Sequence, residues 1–298
     1  MTYRSGFIAI VGRPNAGKST LLNAILKEKI AITTPKPQTT RNNISGILTT
    51  EDTQYIFVDT PGIHKPKHEL GKSLNRSAYT AIAEADINCW VVDATQSFGG
   101  GDEFLLEKMK QSKIPCFLIL NKIDLLSKEE LIKVLLEWQK RYDFTEIFPI
   151  SALKSDNIEE LLKNVKPYLQ EGPQLFPNDM ISDHGETFQI SEIIREKVLY
   201  LTNEEVPHSV AVIIENRQDY EKSIDIQALI IVERPSQKAI LIGKQADMIR
   251  KIRLSAQKEL KLKLKKKVNL ELFVRVEKNW RNRMNKLAQF GYLERDDE

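Results

Sequence analysis

Near the start of the chain, Gly12-Arg13-Pro14-Asn15-Ala16-Gly17-Lys18-Ser19 has the pattern G-x-x-x-x-G-K-S. It follows the apolar run Phe7–Val11 and opens a helix-like stretch, Lys18–Leu26. Two glycines permit the tight turns that aim successive N–H groups at phosphate oxygens. The start of a helix adds partial positive charge at the same place. Lys18 is then the residue that reaches the β- and γ-phosphates and acts in catalysis. The Ser19 hydroxyl suits Mg2+, and Thr20 completes the phosphate-binding set. A glycine turn before a helix also occurs by chance, but the strand and helix flanking this one favour the phosphate reading.

Two further clusters have the same placement after strand-like runs. Asp59-Thr60-Pro61-Gly62 follows Tyr55–Val58, which puts a carboxylate where it can serve a Mg2+ site and the Gly62 N–H where it can sense a γ-phosphate. Asn121-Lys122-Ile123-Asp124 follows Cys116–Leu120, and Ser151-Ala152-Leu153 follows Glu146–Ile150. A carboxylate at Asp124 accepts both N–H groups of guanine's N1/N2 edge, a donor pair that adenine lacks. Asn121 buttresses that loop, the Lys122 stem covers the base, and a backbone N–H of Ser151–Leu153 meets the guanine O6. Each cluster alone is an ordinary polar turn. In this order they imply a guanine nucleotide, GTP or GDP, and oppose an ATP-using kinase.

The elements that must hold these residues can be read from the same 298 residues, 41% hydrophobic and 29% charged, a balance that supports a packed core. Short apolar runs alternate with amphipathic stretches up to Tyr168, which predicts an α/β fold with a mostly parallel central sheet. Gly172-Pro173 and Pro177-Asn178-Asp179 break the pattern. The expected division is a nucleotide-binding domain over 1–172, a linker over 173–182 and a second domain over 183–298. In the second domain the order becomes α-β-β-α-α-β, a smaller α+β module. Cys89 and Cys116 both lie in apolar runs and read as reduced core residues. No apolar run reaches membrane-spanning length, and residues 1–6 lack the features of a secretory signal, so a cytoplasmic protein is expected. Net charge is +3, yet Lys244–Lys286 alone carries 15 Lys/Arg against 4 Asp/Glu. A basic end on an acidic body fits a polyanionic partner, although a solvated lysine face reads the same way.

Together, G-R-P-N-A-G-K-S, D-T-P-G, N-K-I-D and S-A-L resemble the translation-factor-related P-loop GTPases. Pro35–Arg41 (P-K-P-Q-T-T-R), Asp179–Asp183 (D-M-I-S-D) and Glu192–Val212 are similar to the Era branch of that class. The resemblance covers essentially the whole chain. It implies a P-loop GTPase domain followed by a KH type II domain. Thr40 would then coordinate Mg2+ when GTP is bound, with Thr39 its unresolved neighbour, and Lys18, Thr40 and Gly62 would form the catalytic set. Ile63 stands where Ras-like proteins carry a water-positioning glutamine, which implies slow intrinsic turnover; His64 beside it reads as a solvated loop residue. Asn15 either helps hold K+ near the phosphates or merely tolerates the turn.

The segment Gly243-Lys244-Gln245-Ala246 corresponds to the G-x-x-G loop of KH domains, which clamps single-stranded backbone. Ala246 replaces the second glycine and puts RNA affinity in question, because alanine disfavours positive φ. Lys244, Arg250, Lys251 and Arg253 supply charge around the loop. The implied partner is the single-stranded 3′ end of small-subunit ribosomal RNA during 30S assembly, bound by a monomer. Two alternatives stay open: an RNA chaperone in which nucleotide is structural, and a GTPase peripherally attached to anionic membrane through Lys261–Lys267.

Overall fold

Strand β1 (Arg4–Val11) is buried along almost its whole length, with Ile8–Val11 fully enclosed. Consecutive burial over Ile8–Val11 belongs to a strand covered by helices on both faces. The computed structural model describes residues 2–293; Met1 and the last five residues of the expected second domain lie outside these. From β1 the chain enters α1 (Lys18–Leu26), then β2 (Ile44–Thr49), β3 (Thr53–Asp59), α2 (Glu69–Glu84), β4 (Ile87–Asp93) and α3 (Gly100–Gln111). β5 (Cys116–Asn121), α4 (Lys128–Gln139), β6 (Glu146–Pro149), α5 (Ile158–Val165) and β7 (Gln170–Glu171) complete the first part.

These strands form one sheet in the order β2-β3-β1-β4-β5-β6, with β7 added antiparallel at the start of β1. β1, β3, β4, β5 and β6 run parallel, which puts the ends of all five on one side of the sheet. Register aligns Ile10 with Asp59 and Asp93 with Asn121, so the strand-end polar residues face one edge of the domain. Packing on one side centres on Trp90, whose ring meets Trp138 edge-on at 5.3 Å. Ser127 and Glu130 cap α4 reciprocally: Glu130 N–H reaches Ser127 Oγ at 3.3 Å, and Ser127 N–H reaches the Glu130 carboxylate at 2.8 Å.

β2 and β7 are antiparallel additions that the α/β alternation does not predict. A tight turn joins β2 to β3, with the Thr50 N–H bonded to the Thr53 carbonyl at 2.8 Å. The segment expected as a linker also has structure. Ile47 N–H bonds the Ile181 carbonyl at 2.8 Å, and Gly46 bridges Ser182 along the free side of β2. Gln54 reaches the same segment with three bonds of 2.9 Å, to Leu175 N, Phe176 N and Phe176 O.

The second part comprises α6 (Glu186–Leu201), the single turn α7 (Val206–Ser209), β8 (Ala211–Asp219), β9 (Ser223–Val232) and α8 (Pro235–Ile242). It continues with α9 (Asp247–Leu264), β10 (Lys267–Val276) and α10 (Met284–Gln289). β9 is central, antiparallel to β8 and parallel to β10. The α-β-β-α-α-β order holds, with α7 and α10 as additions. Helix α6 packs on α9 and β8, and α9 on β10. Within α6, Arg195 is buried and bonds Glu192 one turn earlier, Nε to Oε1 at 2.6 Å.

By contacts the chain falls into two compact units. One gathers the chain to Thr33, Thr40–Lys67 and Gly71–Asp183; the other gathers Thr34–Thr39, His68–Leu70 and the chain from His184. Among the described residues no helix is long and apolar enough to cross a membrane. Cys89 and Cys116 are free and buried.

Candidate nucleotide site and RNA-binding loop

The residues between β1 and α1 form a loop whose backbone is set by a few special positions. Asn15 has φ 63°, a left-handed conformation that asparagine adopts more readily than most residues. Gly17, with φ 98°, is the residue before α1, and a Cβ there would sit 2.1 Å from the Asn121 side-chain nitrogen. Only glycine fits, both for conformation and for space. The Lys18 ammonium turns back over the loop and bonds the carbonyls of Gly12 at 3.2 Å and Arg13 at 3.0 Å. Burial lowers the Lys18 pKa to about 8, with the nearby Asp59 carboxylate acting in the opposite direction.

Opposite Lys18, three oxygen-bearing side chains converge. Ser19 Oγ lies 2.6 Å from Asp59 Oδ2 and 2.7 Å from Thr40 Oγ1, and Thr40 Oγ1 is 3.3 Å from Asp59 Oδ2. The other Asp59 oxygen, Oδ1, is buried with no hydrogen-bond partner. An orphaned carboxylate oxygen beside two hydroxyls is a hard-oxygen donor set, and it fits Mg2+. Burial raises the Asp59 carboxyl to about 6, against the pull of Lys18, Ser19 and Thr40. Thr39, the neighbour left open by the sequence, turns its hydroxyl away to the Lys36 carbonyl and to Thr34 Oγ1, both at 2.7 Å.

Gly62 lies against the phosphate loop. A Cβ on it would meet Pro14 Cα at 2.7 Å, and the next residue's N–H, on Ile63, bonds the Gly12 carbonyl at 3.2 Å. The Ile63 side chain is buried in the cluster with Ala9, Val11 and Leu105. It therefore belongs to the core rather than to the phosphates. His64 Nδ1 is 3.0 Å from the Gly62 carbonyl. Thr60 bonds back to the Ile10 carbonyl at 2.9 Å, which together with Pro61 fixes the exit from β3.

The residues expected to read the base form a second, connected group. Asn121 donates to the Ala16 carbonyl at 2.9 Å, and its carbonyl oxygen accepts from Lys122 N at 2.8 Å and Ala152 N at 3.0 Å. One buried amide thus ties the phosphate loop to both base loops. Asp124 Oδ1 accepts from Ser151 Oγ at 2.7 Å, which orients the carboxylate. Lys122 pairs with Asp93 at 2.5 Å, and Leu153 is exposed. Asp93 lies in none of the sequence motifs. Asp93 ends β4 just as Asp59 ends β3, and a carboxylate at a strand's carboxyl end was the signal available.

In the second unit, Gly243 ends α8 at φ 74°, and Gln245 and Ala246 both take left-handed conformations, φ 50° and 60°. Alanine thus occupies the conformation it disfavours, and the loop keeps its turn. Lys244, Gln245 and Ala246 are exposed, as are Arg250 and Arg253 on the first turns of α9; Lys251 pairs with Asp247 at 2.7 Å. Lys261–Lys267 spans the end of α9 and the start of β10.

Comparison with known proteins agrees with this geometry. A family model described as "50S ribosome-binding GTPase" matches residues 7–122, and one described as "KH domain" matches 205–281. The chain is similar to Era in a crystal structure with MgGDPNP and nucleotides 1506–1542 of 16S ribosomal RNA. That match has 40% identity over 98% of this chain and 100% of that one, with a TM-score of 0.95. A Tyr-to-Ala variant of Aquifex aeolicus Era bound to GDP·AlF4− matches with the same identity and coverage and a TM-score of 0.94. With the strand-end site, the α-β-β-α-α-β module and this identity along nearly the full length of both proteins, the chain belongs to the Era family of GTPases.

Proposed function

We propose that this GTPase is a nucleotide-controlled RNA-binding switch. Its GTP state governs binding of the 3′ end of small-subunit ribosomal RNA by the KH part during 30S assembly. The observation that carries the reading is the loop at Gly243–Ala246, which retains its turn and is ringed by Lys244, Arg250, Lys251 and Arg253 in a chain that hydrolyses GTP. The similar Era was captured with both a GTP analogue and 16S ribosomal RNA. A functional division into 1–172, linker 173–182 and RNA-binding 183–298 belongs to the same reading.

In hydrolysis, Lys18 supplies positive charge to the β- and γ-phosphates, and the backbone N–H groups of the phosphate loop hold their oxygens. Ser19 and Thr40, with Asp59, would hold Mg2+, which when bound would supply positive charge to the phosphates. Gly62 offers its N–H to the γ-phosphate. Asp124 reads guanine while Asn121 keeps the base loops in register with the phosphate loop. Because the Ile63 side chain is in the core, the attacking water is oriented by backbone groups and Thr40, and turnover is slow without help. Asn15 would help place K+ near the phosphates, where such an ion would supply charge in place of an arginine finger. The protein acts as a cytoplasmic monomer; the alternative, peripheral contact with anionic membrane, rests on Lys261–Lys267.

The test is the affinity of the full-length protein for a single strand copying the 3′ end of small-subunit ribosomal RNA. It is measured at fixed salt with GDP and with a non-hydrolysable GTP analogue. Tighter binding with the analogue is the expected result. Equal affinities would leave an RNA chaperone with structural nucleotide as the better description.

A further inference from the structure

Arg13 is the second residue of the phosphate loop, but its side chain runs to the start of α3. Its Nη1 is 3.0 Å from Asp102 Oδ2 and 3.4 Å from the Ser97 carbonyl. Asp102 is 2% exposed and also accepts the Gly99 N–H at 3.0 Å. Burial raises the Asp102 carboxyl, and the Gly99 N–H and Arg13 act against that rise. The arginine stem passes Gly101 and its guanidinium passes Gly99. A Cβ on Gly101 would stand 3.0 Å from Arg13 Cγ, and one on Gly99 would stand 3.5 Å from Nη1. Gly99 and Gly101 thus leave room for this side chain, a sequence feature that nucleotide recognition does not explain.

The main chain beside Arg13 supports the reacting groups. The Gly12 and Arg13 carbonyls hold the Lys18 ammonium, the Gly12 carbonyl also holds Ile63 N–H, and Pro14 packs on Gly62. Residues 12–14 are therefore a shelf on which both Lys18 and Gly62 rest. We propose that Arg13 and Asp102 are a positioning pair for hydrolysis, which clamps this shelf to α3 and so fixes Gly62, resting on Pro14, beside the γ-phosphate that GDP lacks. Neither residue touches the reacting atoms. GDP depends chiefly on the start of α1 and on the Asn121–Asp124 and Ser151–Leu153 loops. Loss of the clamp therefore falls on the hydrolytic step more than on GDP binding.

Single-turnover hydrolysis and GDP affinity of the full-length protein test this with Arg13→Ala, Arg13→Lys, Asp102→Asn and the Arg13→Ala/Asp102→Asn double variant. Arg13→Ala and Asp102→Asn should each slow hydrolysis about tenfold and change GDP affinity by less than about twofold. The double variant should be no slower than the slower single one, because both remove one interaction. Arg13→Lys, which can still meet the Asp102 carboxylate, should recover most of the rate. The proposal is overturned by a wild-type rate in Asp102→Asn, by GDP affinity falling as far as the rate, or by losses that multiply. If thermal melting shows that Asp102→Asn does not fold, the Arg13 variants decide: a wild-type rate in Arg13→Ala, or no recovery in Arg13→Lys, also overturns it.

Discussion

The carboxylate of Asp124 is the group expected to set base specificity. Ser151 holds one oxygen at 2.7 Å, and Lys154 lies 3.8 Å from the other, so the group is oriented before a base arrives. Asp124→Asn replaces an acceptor by a donor. Guanine affinity should fall by about 2 kcal/mol, roughly thirtyfold, with preference moving toward xanthine nucleotides in competition binding. Unchanged guanine preference would remove the base assignment. Ile63 gives the opposite lesson. Restoring a glutamine there, as Ile63→Gln, puts an amide into the cluster of Ala9, Val11 and Leu105 instead of beside the γ-phosphate. The expected result is no gain in turnover and a loss of about 1–3 kcal/mol in denaturant unfolding. The two thiols are equally enclosed: burial pushes Cys116 up to about 12 and raises Cys89 as well. Thiol reagents should leave both untouched in the folded protein and label both after unfolding.

At the scale of elements, most of the site could be read from the sequence, because a phosphate loop, a magnesium carboxylate and a base code are local patterns with fixed strand and helix flanks. Helix α1 falls where the glycine-lysine pattern put it, and the interruption at Gly243 separates α8 from α9 as expected. Strands β2 and β7 were not legible. Gly46 and Ser45 dilute the apolar pattern of β2, and two-residue β7 exists only because β1 offers it a partner. Asp93 and Asp102 were hidden for a related reason: their cationic partners are 29 and 89 residues away in sequence. Conformation sets a further expectation. Ala246 in a left-handed turn costs about 1–2 kcal/mol. Ala246→Gly relieves that cost but frees the unfolded chain by about 0.4–1 kcal/mol. Melting should therefore show a net gain of between about 0 and 1.6 kcal/mol, with RNA affinity equal or higher; a lower melting temperature would mean that the turn is not strained.

For the whole molecule, the net charge of +3 conceals a basic 244–286 region on a body of opposite sign. Strand binding by that region is expected to weaken linearly on a log–log plot against salt. Lys244→Ala should reduce the slope by roughly 0.7, the value of one single-strand phosphate contact. An unaltered slope would take Lys244 off the RNA path. The backbone of residues 174–183 matters at this scale too. By bonding Ser45, Gly46 and Ile47 it occupies the outer side of β2, the border strand of the large sheet. An open border strand is a template for other chains. The same segment that leads out of the nucleotide domain thus acts as its selvedge, the finished margin that keeps one sheet from being sewn to the next. A fragment ending at residue 183 should stay monomeric in solution, whereas one cut at 172 should self-associate through the exposed margin.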